Sequence, residues 1–311
     1  MDWLYYIVVS GVLGVIEGLT EFLPVSSTAH LRIAEAFTPG INMESGYWKM
    51  YTVVIQLGAI LSVVYLFWPR LMKLLRTFPR GENRNKTIFT HPLSLVMLAF
   101  VITAGPCYLA EKSIAKMLEN LNAMAVALLV GGIIMWLVDT FCTRPKVMKM
   151  EETSVLEAIW IGLVQITSAA FPGTSRSMCT IAAGQLFGMS RAAALEFSFF
   201  LSIPTMMAAT LYKLSQALLG FPKSHEPPAA WDAPPAQWAV LAVGFFVSFV
   251  VAVIINRWFI NWVRTRGFGP FAFYRIVLAI VLFVVLWLAP GVLKEKSGHE
   301  RTSATVPAAT R

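Results

Sequence analysis

The chain has 311 residues, of which 57% are hydrophobic and 14% charged, and its mean hydropathy is +0.66. A soluble domain carries about 25% charged residues, so this composition excludes an ordinary soluble globular protein and points to a polytopic membrane protein. The net charge of +8 does not indicate a nucleic-acid partner, because the basic residues lie between apolar runs, where they act as topology signals.

Asp2 is the only charge ahead of Glu17, so the first apolar stretch lacks the basic flank of a cleavable signal peptide. Cys107, Cys142 and Cys179 are scattered, with no CxxC pair and no metal-ligand spacing. That predicts neither a disulfide framework nor a zinc site.

A spanning helix needs about 20 mostly apolar residues. The first apolar stretch, 3–16, is too short and runs into EGLTEFLPVSSTAH, Glu17 to His30. Predicted spans follow at 51–68, 92–110 and 121–140. A second short stretch, 155–170, runs into FPGTSRSMCT, Phe171 to Thr180. Three more spans are predicted at 192–213, 237–256 and 271–289. Each short stretch breaks at a proline followed by small hydroxylated residues, the pattern of a re-entrant hairpin. The expected fold is an all-α integral membrane protein with six transmembrane helices and two re-entrant helical hairpins. The polar tail, 291–311, reads as disordered.

The two broken segments resemble each other. At an offset of 148, Gly14 meets Gly162, Glu17 meets Gln165, Thr20 meets Ser168, Pro24 meets Pro172, Ser26 meets Thr174 and Ser27 meets Ser175. Paired interrupted segments in two halves of a membrane protein point to a binding site. The halves are 1–140, with its hairpin at 3–38, and 141–290, with its hairpin at 155–186. An odd number of spans separates the hairpins, so the repeats are expected to be inverted.

Loop charge sets the orientation. The 69–91 loop carries Arg70, Lys73, Arg76, Arg80, Arg84 and Lys86; the 141–157 loop carries Arg144, Lys146 and Lys149; the 257–270 loop carries Arg257, Arg264 and Arg266. The other loops hold fewer: Arg32 and Lys49, Lys112 and Lys116, Lys213 and Lys223. The basic loops are expected in the cytoplasm. The first hairpin, both termini and the Pro-rich 222–235 loop are expected outside.

The chemistry concentrates in the two breaks. Glu17 and Glu21 share a helix face, and two carboxylates one turn apart in a membrane share a proton or take a cation. Magnesium is typically held by one or two carboxylates plus phosphate oxygens. Pairing of the glutamates with Arg176 is the structural alternative. In PVSSTAH, Ser26, Ser27 and Thr28 follow Pro24, either as caps of the next helix or as part of an anion site. His30, three residues after Ser27, is placed to act as its base. In PGTSRS, Arg176 binds phosphate bidentately, Gly173 allows close backbone approach, and Ser175, Ser177 and Thr180 add donors. One hairpin is acidic and the other basic. Metal-assisted phosphoryl transfer needs these parts. Gln56, Gln165, Gln185 and Glu196 read as supporting polar groups or helix–helix hydrogen bonds, and Asp139 and Arg275 as interfacial.

EGLTEFLPVSSTAH and PGTSRSMCT closely resemble the two signature motifs of the bacterial undecaprenyl-diphosphate phosphatase family, the bacitracin-resistance type. The resemblance extends to VVIQLGAILSVVYLFW, EFSFFLSIP and PFAFYR, but not to the 214–236 loop or the tail. It implies an enzyme of the bacterial cytoplasmic membrane, with its site facing outward. That enzyme hydrolyses undecaprenyl diphosphate to the monophosphate carrier lipid of cell-wall synthesis. Bacitracin competes for the same lipid, and a homodimer is compatible with the family. Divalent metal, Mg²⁺ or Ca²⁺, is implied at Glu17 and Glu21. The family's hydroxyl loop maps onto Ser26, Ser27, Thr28 and His30, and its arginine loop onto Gly173, Ser175, Arg176, Ser177 and Thr180. Ala29 stands where many members have glycine. Ser27, His30 or a water activated by Glu21 or His30 remains open as the attacking group. The competing reading is an inverted-repeat transporter or flippase for a phosphorylated lipid or anion.

Overall fold

The computed structural model describes residues 3–41, 46–82, 86–109, 121–219 and 235–288. The tail and most of the Pro-rich loop lie outside them. Among the described residues the chain is helical throughout, with no strand. The helices are α1 (Trp3–Thr20), α2 (Ser27–Phe37), α3 (Gly46–Leu66), α4 (Trp68–Thr77), α5 (Pro92–Leu109), α6 (Leu121–Phe141), α7 (Val155–Ala170), α8 (Arg176–Leu186), α9 (Arg191–Leu219), α10 (Pro235–Arg266) and α11 (Gly269–Leu288).

Among the described residues six helices are long and apolar enough to cross a membrane: α1, α5, α6, α9, α10 and α11. The protein is therefore a multi-pass membrane protein. Five of these match expected spans. The sixth differs. The expected span 51–68 breaks at Phe67, where the chain turns by 69° into α4. Pro69 sits in the first turn of α4, where its missing N–H costs nothing and its ring prevents α3 from continuing. The 3–16 stretch, in contrast, extends as helix through Glu17 to Thr20. Glu17 does not end it, because that side chain is wholly buried among protein rather than lipid. The chain reverses only at Glu21–Val25, ahead of α2.

Each hairpin leans on a long helix from the other half of the chain. α1 packs along α10, and α7 packs along α5. Both contacts are sealed by a hydroxyl donating to a facing carbonyl: Ser10 to Val240 at 2.6 Å and Thr103 to Gly162 at 2.8 Å. α7 itself starts at a reciprocal cap, with Ser154 Oγ accepting from Glu157 N and Glu157 Oε2 accepting from Ser154 N.

The α1–α10 approach leaves no room for side chains at Gly18, where a Cβ would fall 2.7 Å from the Ser248 carbonyl oxygen. Gly11, on the same helix, has open space around it. Gly18→Ala is expected to cost about 1–3 kcal/mol through overpacking, whereas Gly11→Ala leaves the thermal midpoint in detergent unchanged or slightly raised. Equal midpoints for the two variants would contradict this packing.

At one end of the bundle the three basic loops meet. Arg70 pairs with Glu151 and Glu196, joining the 69–91 loop to the 141–157 loop and the start of α9. Asp139, expected at the interface, lies in the last turn of α6 and is covered by protein. It accepts from Arg191 Nε at 2.6 Å and from the backbone N–H groups of Phe268 and Gly269 at 3.0 and 3.1 Å. It thereby satisfies free amides at the start of α11.

Candidate active site

The two proline breaks face one another. In the first, Glu21–Val25 form a turn and Ser26 caps α2, its Oγ accepting from Ala29 N at 3.4 Å. In the second, Ser175 caps α8 in the same way, with Met178 N at 3.4 Å. Both serines hold left-handed backbone, φ 75° at Ser26 and 71° at Ser175. For a residue with a Cβ this costs about 1–3 kcal/mol, and such strain clusters at functional sites. The matching caps correct the alignment of the repeats. Pro24 still meets Pro172, but the second loop has one more residue before its cap. Ser26 is therefore opposite Ser175, and Ser27 is opposite Arg176. Gly173 is part of that loop, at φ +88° and with Met124 packed where a Cβ would lie.

Between the loops lies a cavity of about 270 Å³. Glu21, Ser26, Ser27, Thr28, Gly173, Ser175 and Arg176 all line it, with Gln56, Ser168 and Met206 completing the wall. Arg176 Nη2 is 3.4 Å from Glu21 Oε1, and Ser27 Oγ donates to Glu21 Oε2 at 2.5 Å. The guanidinium also lies over the Phe22 ring, 5.5 Å from its centroid. The two hairpins thus contribute an acid and a base to one ion pair, and α2 and α8 both begin at the cavity wall. Helix N-termini present free N–H groups and partial positive charge to an anion.

The remaining expected residues lie behind this wall. Ser177 Oγ donates to the Leu23 carbonyl at 3.1 Å, and Thr180 Oγ1 exchanges a hydrogen bond with Ser198 Oγ at 2.7 Å. These hydroxyls join the loops and helices rather than lining the cavity. Glu17 is wholly buried, and among the described residues neither of its carboxylate oxygens has a hydrogen-bond partner. His30 does not pair with Ser27. Its Nδ1 lies 2.7 Å from the Ser26 carbonyl oxygen and its Nε2 2.6 Å from Tyr274 Oη. The hydroxyl's acceptor is Glu21 instead. Of the supporting polar residues, Gln165 donates to Thr205 at 3.2 Å, Gln185 is buried, and Glu196 belongs to the Arg70 cluster.

Arg275 is the largest departure from the sequence reading. It was expected at the interface, yet it is 0% exposed. Its Nη1 donates to the Pro24 carbonyl at 3.2 Å, and its Nη2 lies 3.0 Å from Gly173 O, 3.1 Å from Thr174 O and 3.2 Å from Ala127 O. One guanidinium therefore ties both loops to α6. An arginine inside a predicted span is by itself a signal of such a role.

The fold and site define a helical membrane protein with a cavity between two opposed helix breaks, lined by a carboxylate–hydroxyl–guanidinium cluster. Residues 10–281 match the family model of the bacitracin resistance protein BacA, and the chain belongs to that family. It is 54% identical over 279 residues to an undecaprenyl-diphosphatase of Koribacter versatilis, covering 89% of this chain and 96% of the relative. It is 37% identical to the undecaprenyl-diphosphatase of Caldanaerobacter subterraneus subsp. tengcongensis, over 88% and 94% of the two chains. It is 38% identical to that of Laribacter hongkongensis, over 93% and 97%.

Proposed function

We infer that this chain is an integral membrane phosphatase that hydrolyses undecaprenyl diphosphate to undecaprenyl phosphate and inorganic phosphate, and so confers bacitracin resistance. The observation that carries this is the Ser27–Glu21–Arg176 cluster at two helix N-termini inside a membrane protein. The curated names of its relatives support it. A lipid-bound diphosphate also accounts for polar groups at membrane depth, since a soluble site would first have to extract the prenyl chain.

In the reaction, Arg176 and the amides at the starts of α2 and α8 hold the oxygens of the terminal phosphoryl group. Ser27 Oγ passes its proton to Glu21 and attacks phosphorus. The Oγ–P bond forms as the bond to the departing undecaprenyl phosphate breaks. Water then attacks phosphorus, and as the Oγ–P bond breaks the proton held by Glu21 returns to Ser27 Oγ, giving inorganic phosphate and free Ser27. Ser26, Thr28 and Ser175 supply further donors at the wall.

The residues present fit a divalent cation. Glu17 has two buried carboxylate oxygens without partners, one helical turn from Glu21. Among the described residues no third acidic, histidine or cysteine side chain joins them in a metal-sized group, so substrate oxygens would complete the shell, as is usual for Mg²⁺. Such an ion, held by Glu17 and Glu21, would supply charge neutralisation to the diphosphate. The gathered basic loops mark the cytoplasmic end, which supports a site facing the outer side of the cytoplasmic membrane. In this reading bacitracin competes for the lipid diphosphate exposed on that side.

Purified protein in detergent is expected to release phosphate from undecaprenyl diphosphate, to lose that activity in EDTA and to regain it with Mg²⁺ or Ca²⁺. Detergent removes the two compartments, so transport cannot register. A folded wild-type protein that releases no phosphate with any divalent metal would put transport of a phosphorylated lipid first.

A further inference from the structure

His30 stands beside the reacting groups but faces away from them. It does not line the cavity. Its Nδ1 is 2.7 Å from the carbonyl oxygen of Ser26. A carbonyl only accepts, so Nδ1 carries the proton and donates it. Nε2 is then the acceptor, and among the described residues its partner is Tyr274 Oη, 2.6 Å away. The two rings lie nearly parallel, 8° apart, so the imidazole is held in plane as well as by its nitrogens. Neither nitrogen is left to take the Ser27 proton or to attack phosphorus.

What the imidazole does hold is the strained residue. Ser26 has φ 75°, and its carbonyl receives both His30 Nδ1 and His30 N. That carbonyl orientation fixes the peptide leading into Ser27. It therefore sets where Ser27 Oγ sits relative to Glu21 and where the first amides of α2 point. The second loop reaches the same left-handed serine without a histidine; Cys179, four residues after Ser175, accordingly leaves the Ser175 carbonyl to its backbone N–H alone. The first loop has the extra strap, and it is the loop that carries the reacting hydroxyl.

We propose that His30 and Tyr274 are a positioning pair: Tyr274 fixes the imidazole tautomer, and the imidazole holds the Ser26 carbonyl so that Ser27 meets the phosphoryl group. This rests on the phosphatase reading above. Asparagine separates positioning from chemistry, because its amide donates from nearly the same place as Nδ1 but neither exchanges a proton nor forms a phosphoenzyme.

The test measures kcat and KM for phosphate release by wild type, His30→Asn, His30→Ala, Tyr274→Phe and the His30→Ala/Tyr274→Phe double variant, each with its thermal midpoint in detergent. His30→Ala is expected to lower kcat by on the order of 100-fold, the cost of a misplaced reacting group, with a smaller change in KM. His30→Asn should recover all but about fivefold of it, a residue of some 1 kcal/mol by the tenfold-per-1.36 relation. Tyr274→Phe should lower kcat in the wild-type background and change nothing further in His30→Ala, the signature of two residues acting as a unit. If His30→Asn is folded and as inactive as His30→Ala, the imidazole does chemistry and the proposal fails. It fails too if Tyr274→Phe has the same effect in both backgrounds. An inactive wild type would count against the phosphatase reading itself, and is read separately.

Discussion

Arg176→Ala is expected to lower kcat for phosphate release by about 10³-fold. Two losses combine. The transferred phosphoryl group loses the guanidinium that lines the cavity, and Glu21 loses the cation 3.4 Å from its Oε1. Arg176 and Glu21 are both largely buried, with side chains 13% and 7% exposed, so the stranded carboxylate also destabilises the fold, by about 3–5 kcal/mol if the pair behaves as a typical buried one. Arg176→Lys separates these effects. It keeps the charge and most of the stability but lacks the planar fork, so its thermal midpoint should approach wild type while kcat stays low. An Arg176→Ala protein that is folded and keeps more than a tenth of wild-type kcat would remove Arg176 from the reaction.

Ser27→Ala is expected to be at least as severe, with a loss of about 10³-fold or more in kcat, because removing a nucleophile removes the pathway rather than one stabilising contact. The buried Glu21 keeps its ion pair, so stability should change by only about 1 kcal/mol, the net worth of one hydrogen bond. Rapid quench with substrate labelled on the terminal phosphate should place the label on Ser27 of the wild-type protein. No labelled serine, together with an Ser27→Ala variant within tenfold of wild type, would make water the attacking group, with Glu21 as its base.

The sequence displays the parts of this site more fully than their assembly. The two proline breaks, the glutamates and Arg176 are visible because charge and hydroxyls are out of place in apolar runs. The pairing of Ser27 with Glu21 rather than His30 is not visible. Spacing on an idealised helix brings Ser27 and His30 together, but Ser27 opens α2 after a left-handed residue and Glu21 lies on the turn before it. The single-residue slip between the loops is hidden for a similar reason, since identities at Pro24/Pro172 and Ser27/Ser175 suggest an unbroken register. Arg275 and Tyr274 meet their partners across separations of 101 to 251 residues, which no local pattern encodes. The break at Phe67 was legible in principle from Pro69, but the apolar run on both sides masked it.

Arg275 also has an electrostatic consequence. All four of its hydrogen-bond partners are carbonyl oxygens, and no carboxylate pairs with it among the described residues. A guanidinium does not lose its proton, so a full positive charge stands directly behind both loops without a counter-ion. Low-dielectric walls concentrate the potential of such a charge in the cleft in front of it. The incoming diphosphate therefore meets an attractive field that reaches past the contacts of Arg176, and the monophosphate lipid that leaves, with less negative charge, is held less strongly by the same field. A single fixed charge in the scaffold would then favour both capture of the substrate and release of the product.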